Sequence, residues 1–300
     1  MKKIAEPLRV IRKLYSNEKV NILKRTKTVN SKIYKIGIGD VNKPRESLLI
    51  KLCPPENIDI EVKTQSIFRD KCKSDLITTP KILDYSTEQG FIIMDYIEGI
   101  DFKHLLLSSK PQENNFFKNT IENSAVALSK FHKIFKVSIS KRLDLNTPLL
   151  NEEITSDRLT TKFSLMECGM NLKTQSYIDY TPWNILINNK KLFLLDFPER
   201  ECIFTPHLDI ARFKFSLNII KQHPVFRIFN KNWWVLDDLF DIFLKKYCCG
   251  MKFKLNKIDY LVIDYFEKEY AKKLQNIYKT NKKYFFESLY LRDFLKRFTK

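Results

Sequence analysis

The sequence predicts an α+β chain in two lobes, a small N-terminal lobe built on an antiparallel sheet with one helix and a larger, mainly helical C-terminal lobe. Three observations predict it. Short β-rich runs crowd the first third of the chain, helical periodicity takes over after Gly99, and one apolar hairpin interrupts the helices near Asn189. With 300 residues and 44% hydrophobic content, the chain can bury a sizeable core.

In order, Val20 to Lys24, Lys32 to Gly37 and Leu48 to Leu52 read as strands bounded by Asn, Gly, Lys and Pro. A helix is expected from Asn57 to Cys72, followed by strands over Lys81 to Tyr85 and Phe91 to Tyr96. The second of these, Phe-Ile-Ile-Met-Asp-Tyr, is nearly all apolar, as a strand buried on both faces must be. The lobes are expected to divide between residues 96 and 97. Beyond a linker near Asp95 to Asp101, the segment Phe116 to Phe135 repeats Phe117, Ile121, Ala125, Leu128, Phe131 and Ile134 at helical spacing. Asn184 to Asn188 and Lys191 to Phe197 form a hairpin about Asn189-Lys190. Helices resume near Leu208. No internal repeat is present.

Composition narrows the class of protein. No run approaches the roughly 18 apolar residues of a spanning helix, and Met1 to Leu14 lacks the apolar core of a signal peptide. The expectation is a cytoplasmic protein. Its six cysteines lack metal-ligand spacing and read as free thiols. The net charge of +18 suits an anionic partner, yet a bias towards Lys, Ile, Asn, Phe and Tyr also arises from AT-rich coding. No nucleic-acid motif accompanies the charge, so nucleic acid is not an expected partner.

The most informative stretch is Tyr177-Ile178-Asp179-Tyr180-Thr181-Pro182-Trp183-Asn184, followed across the hairpin by Leu194-Leu195-Asp196-Phe197. An Asp, an Asn five positions on, and a second Asp after an apolar hairpin suit phosphoryl transfer. One carboxylate orients the attacking hydroxyl, while an amide oxygen and another carboxylate hold magnesium. The hairpin is the spacer that can bring Asn184 and Asp196 to the same end of two paired strands.

This stretch resembles the catalytic segment of aminoglycoside phosphotransferases and choline-kinase-like enzymes, which read His-Gly-Asp, Pro-x-Asn, and a hairpin ending in Ile-Asp-Phe or Ile-Asp-Trp. The resemblance implies a two-lobed protein-kinase-like fold, ATP and Mg2+ as cofactors, Asp179 as catalytic base and Asn184 and Asp196 as metal ligands. Leu48-Leu49-Ile50-Lys51 looks like the strand lysine that contacts nucleotide phosphates, and Glu61 like its acidic partner. Ile93-Met94-Asp95-Tyr96 looks like the nucleotide-binding hinge, which brings in Asp95 and Tyr96. Leu128-Ser129-Lys130-Phe131-His132 looks like the helix before the catalytic loop. Pro206-His207-Leu208-Asp209-Ile210-Ala211-Arg212 is similar to a segment whose aspartate, here Asp209, supports that loop from behind. The resemblance spans roughly residues 20 to 220.

Two departures stand out. Tyr177-Ile178 replaces His-Gly before the catalytic aspartate, and Thr26 to Lys32 supplies an Asn-containing turn where other kinases have a glycine-rich loop. They motivate an alternative, a pseudokinase that binds nucleotide or a partner without catalysis. Only a dozen residues separate Asp196 from Asp209, too few for the segment on which protein kinases dock peptides. The expected acceptor is therefore a hydroxyl of a small molecule or glycan: a sugar, a cell-envelope glycan or an amino alcohol. His132 and His207 read as structural, and Trp183 and Tyr180 as packing beneath the loop. Trp233-Trp234 and the aromatic, basic stretch Lys282 to Lys300 read as core, with contact of Lys282 to Lys300 to an anionic membrane surface at the inner face as the sharper idea.

Overall fold

The computed structural model describes residues 2–27, 31–108, 115–138, 167–229, 235–280, 291 and 294–296. Part of the Thr26 to Lys32 turn, Trp233-Trp234 and most of Lys282 to Lys300 lie outside the described residues. By its internal contacts the chain divides into two compact units: Met1–Lys73, Thr78–Gly99 and Leu195–Arg200 in the first, and Ser74–Ile77, Ile100–Leu194 and Glu201–Lys300 in the second. The residues just after the hairpin thus return to the first unit.

The first unit is an antiparallel sheet of β1 (Val20–Lys27), β2 (Lys32–Gly39), β3 (Pro44–Leu52), β5 (Ile82–Ser86) and β6 (Phe91–Asp95), in the order β1-β2-β3-β6-β5. Alternation along β6 explains its unbroken apolar run. Phe91 and Ile93 join Ile36, Ile38, Leu48 and Ile50 on one face, while Ile92 and Met94 join Ile58 and Val62 on the other. Helix α2 (Pro55–Lys71) covers the second face. The first face is covered by a helix that the sequence did not announce, α1 (Lys2–Leu14), so this unit has two helices rather than one. Pro7 and the basic residues of α1 mask its signal, but Leu8 and Ile11 stand one turn apart and pack on the sheet.

In the second unit β7 (Ile100–Asp101), β9 (Ile185–Asn188) and β10 (Lys191–Leu194) are joined by the two-residue β4 (Ile77–Thr78) in a sheet ordered β4-β10-β9-β7. The β9–β10 turn has φ of 47° at Asn189 and 67° at Lys190, the doubly left-handed geometry of a two-residue hairpin. It pairs Ile185 with Leu194. The short strands β8 (Thr174–Gln175) and β11 (Ile203–Phe204) pair with each other.

The remaining described helices are α3 (Phe102–Ser108), α4 (Asn115–Ile134), α5 (His207–Gln222), α6 (Pro224–Phe229), α7 (Val235–Met251) and α8 (Lys257–Thr280). Helix α4 packs on α7, and α5 on α8. The predicted stripe of α4 is buried at Phe117, Ile121, Ala125, Leu128 and Phe131. All six cysteines are free, and only Cys249 is exposed. No helix among the described residues is long and apolar enough to cross a membrane.

Candidate active site

Within the first unit, Lys51 lies near the end of β3 with its ammonium almost fully buried. Its Nζ donates to both oxygens of Glu61 on α2, at 2.7 and 2.8 Å, and to Asp196 Oδ1 at 2.7 Å. Burial alone would lower the Lys51 pKa, but Glu61, Asp196 and Glu199 raise it well above the usual lysine range, so the ammonium stays charged. Glu61 is 1% exposed, and the Lys51 ammonium compensates its buried charge. Asp196 takes a left-handed backbone, φ 55°, and keeps about half of its side chain in solvent. Glu199, which sequence reasoning missed, stands 3.4 Å from Lys51 Nζ and accepts a bond from Asn57 Nδ2 at 2.7 Å. Its spacing of three from Asp196 was the available signal.

Asp95 and Tyr96 follow on the same sheet. The Asp95 N–H donates to Lys81 O, and the Tyr96 N–H to Ser47 O. Both amides are spent within the protein. Lys35 Nζ sits 4.0 Å from the centre of the Tyr96 ring.

Within the second unit, Asp179 lies on a loop whose backbone is unusually constrained. Its N–H bonds the Tyr177 carbonyl at 2.9 Å across Ile178, whose φ is 71°. That is a γ-turn of the strained kind, with a β-branched residue where the related segments carry glycine. Asp209, fully buried on α5, holds it. Its carboxylate accepts from the N–H groups of Tyr177 and Ile178, from Ser176 Oγ and from His132 Nε2, all between 2.7 and 2.9 Å. Four donors on one buried carboxylate satisfy it completely. His132 in turn faces the Tyr247 hydroxyl through Nδ1 at 2.7 Å.

Asn184 closes a 3-10 turn, Pro182–Asn184, and its amide donates to the Asp179 carbonyl at 3.0 Å and to Asp179 Oδ2 at 3.1 Å. Arg212 donates to Asp179 Oδ1 through Nε at 2.8 Å and a terminal nitrogen at 2.7 Å. The sequence placed Arg212 in a motif without a task. Tyr180 is packed beneath the loop, fully buried, with its hydroxyl on the Ser124 carbonyl. Trp183 is half-buried and lies beside the Arg212 guanidinium.

A second buried cluster brings Cys168, His207 and Asp259 together. Its imidazole and carboxylate are already engaged. His207 contacts Asp259 Oδ1 and Thr205 Oγ1, each at 2.9 Å, while Asp259 also accepts from the N–H groups of Gly169, Met170 and Asn256. The group is a structural junction, in keeping with the reading of His207.

No family model and no curated protein sequence matches this chain. Solved structures do. The chain has the kinase-like fold shared by aminoglycoside phosphotransferases and choline kinase. It aligns with the choline kinase LicA of Streptococcus pneumoniae at TM-score 0.58 and 13% identity, over 97% of this chain and 98% of that one. The macrolide 2'-phosphotransferase MphH of Brachybacterium faecium aligns at 0.53 and 10% identity, over 92% and 94% of the two chains. An ADP-bound aminoglycoside phosphotransferase, APH(2'')-Ib, aligns at 0.51 and 15% identity, over 93% and 92%.

Proposed function

We propose that this chain is a phosphotransferase that moves the γ-phosphoryl group of ATP to a hydroxyl of a small molecule or glycan. The observation that carries the reading is the buried Lys51 ammonium, bound at once by Glu61 and Asp196, the pairing that phosphoryl-transfer enzymes of this fold use to hold nucleotide phosphates. Support for ATP comes from the ADP-bound and ATP-bound structures among the fold's relatives.

In this reading Asp179 takes the proton of the acceptor hydroxyl as its oxygen bonds the γ-phosphorus and the bond to the β-phosphate oxygen breaks, ADP leaving. Asn184 and Asp196 would hold magnesium. The donor set suits it: Asn184 spends its N–H groups on Asp179, leaving an amide oxygen, and Asp196 offers a half-exposed carboxylate, both hard oxygen donors. When bound, the ion neutralises charge on the phosphates. Asp209 keeps the Asp179 loop in its strained turn. The acceptor is read as small from the short Asp196 to Asp209 interval, and a cytoplasmic setting follows from ATP as donor.

Purified protein with magnesium and ATP should phosphorylate an acceptor drawn from sugars, cell-envelope glycans and amino alcohols, or hydrolyse ATP slowly. Asp179→Asn and Asp196→Asn should each reduce transfer by about a thousandfold or more with unchanged circular dichroism. Wild-type rates in either variant would sink the assignment. Nucleotide binding without transfer by the wild type would favour the non-catalytic reading that Tyr177-Ile178 raises.

A further inference from the structure

We propose that Arg212 is a positioning residue for Asp179, an inference that rests on the phosphotransferase reading above. Two guanidinium N–H groups converge on one carboxylate oxygen, Oδ1, at 2.7 and 2.8 Å. The other oxygen, Oδ2, has a single, longer bond, from Asn184 at 3.1 Å. The carboxylate is therefore pinned at both oxygens, and Oδ2 is the less saturated. That oxygen is the one placed to take the acceptor proton.

The guanidinium is held as firmly as the group it holds. Arg212 is only 13% exposed, against 32% for Asp179. Its guanidinium carbon lies 5.3 Å from the centre of the Tyr270 ring on α8 and 5.8 Å from that of Trp183. Tyr270 is itself tied to the Leu208 carbonyl on α5. A planar cation beside two aromatic rings loses little further freedom when it pairs.

One turn of α5 thus serves the loop twice. Asp209 holds the backbone at Tyr177 and Ile178, and Arg212, three residues on and so on the same helix face, holds the side chain of Asp179. Without Arg212 the loop keeps its turn, yet the Asp179 carboxylate keeps only the longer bond from Asn184 to hold its orientation. A structural salt bridge between α5 and the loop would act on stability. A positioning residue acts on turnover.

Magnesium-dependent ATP hydrolysis, with water standing in for the acceptor hydroxyl, separates the two, with ATP affinity and melting temperature measured alongside. Arg212→Met should lower kcat by about a hundredfold, the scale of a misplacement of about 1 Å, with the KM for ATP within about twofold. Arg212→Lys, which keeps the charge but not the paired donors, should recover part of that loss at an unchanged melting temperature. If Arg212→Met melts early, the Lys variant decides, since a lowered kcat in a protein of wild-type stability supports positioning. Wild-type kcat in the Lys variant together with a loss in Arg212→Met that follows stability alone overturns the inference. So does a fall in kcat matched by a rise in KM. A wild type that hydrolyses ATP while both variants are indifferent overturns this inference only, whereas a wild type that neither hydrolyses ATP nor phosphorylates any acceptor overturns the functional reading and this inference with it.

Discussion

Ile178 occupies a backbone conformation that an L-residue with a branched Cβ disfavours by about 1–2 kcal/mol. It stays there because its N–H and that of Tyr177 bind Asp209, and because its side chain is buried. The sequence showed the substitution for glycine but not its compensation, which comes from residues more than thirty positions away. Two variants separate strain from burial. Ile178→Ala loses the packed side chain and keeps the strain, whereas Ile178→Gly loses the same packing and relieves it. The glycine variant should be the more stable of the two by about 1 kcal/mol, the reverse of the usual order. Urea unfolding of both checks this, and an alanine variant at least as stable as glycine would contradict the account. Lys51, Glu61 and Asp196 were legible as a set because each sits in a recognisable run, but the nearness of Glu199 was not.

The elements were legible where periodicity was strong. Helix α4, the apolar β6 and the β9–β10 hairpin stand close to their expected bounds, because each follows from local spacing. Helix α1 escaped because its apolar positions are few and become a stripe only once a sheet lies beneath them. The junction of α5 and α8 escaped too. Gly169 approaches the Lys254 carbonyl so closely that a Cβ would lie 1.8 Å from its oxygen, and the Asp259 carboxylate gathers the loop amides around it. Burial lowers the pKa of His207 below its usual value near 6.5, despite the pull of Asp259, and His207 and loop amides lower that of Asp259 against its burial. The unfolded chain therefore binds more protons than the folded one below about pH 6.5. Stability held above that pH should decline as pH falls towards 5, and Asp259 should add to the loss below about pH 4. Thermal melts between pH 7.5 and 5 should show the decline, with a shallower slope in His207→Gln. Equal slopes would remove His207 as its source.

At the scale of the molecule, the charge of +18 is unevenly spread: residues 1–50 hold thirteen Lys and Arg against four Asp and Glu. Arg9, Arg12 and Lys13 on α1 and Lys24 and Arg25 on β1 are exposed. Such a surface attracts polyanions through the ion atmosphere rather than through a shaped site. Binding to random duplex DNA, followed by fluorescence anisotropy, should weaken by about a thousandfold between 50 and 200 mM salt. Sub-micromolar affinity at physiological salt would instead mark nucleic acid as a real partner. The sequence by itself determined the α+β class, which follows from local periodicity, and its resemblance to phosphotransferase segments singled out Lys51, Glu61, Asp179, Asn184, Asp196 and Asp209 as candidates. Only the tertiary structure decided which groups hold them. Arg212 lies 33 residues from Asp179, His132 lies 77 from Asp209, and Asp196 lies 145 from Lys51. Bonds across such separations exist only after packing has brought distant elements together, and no short-range pattern records them.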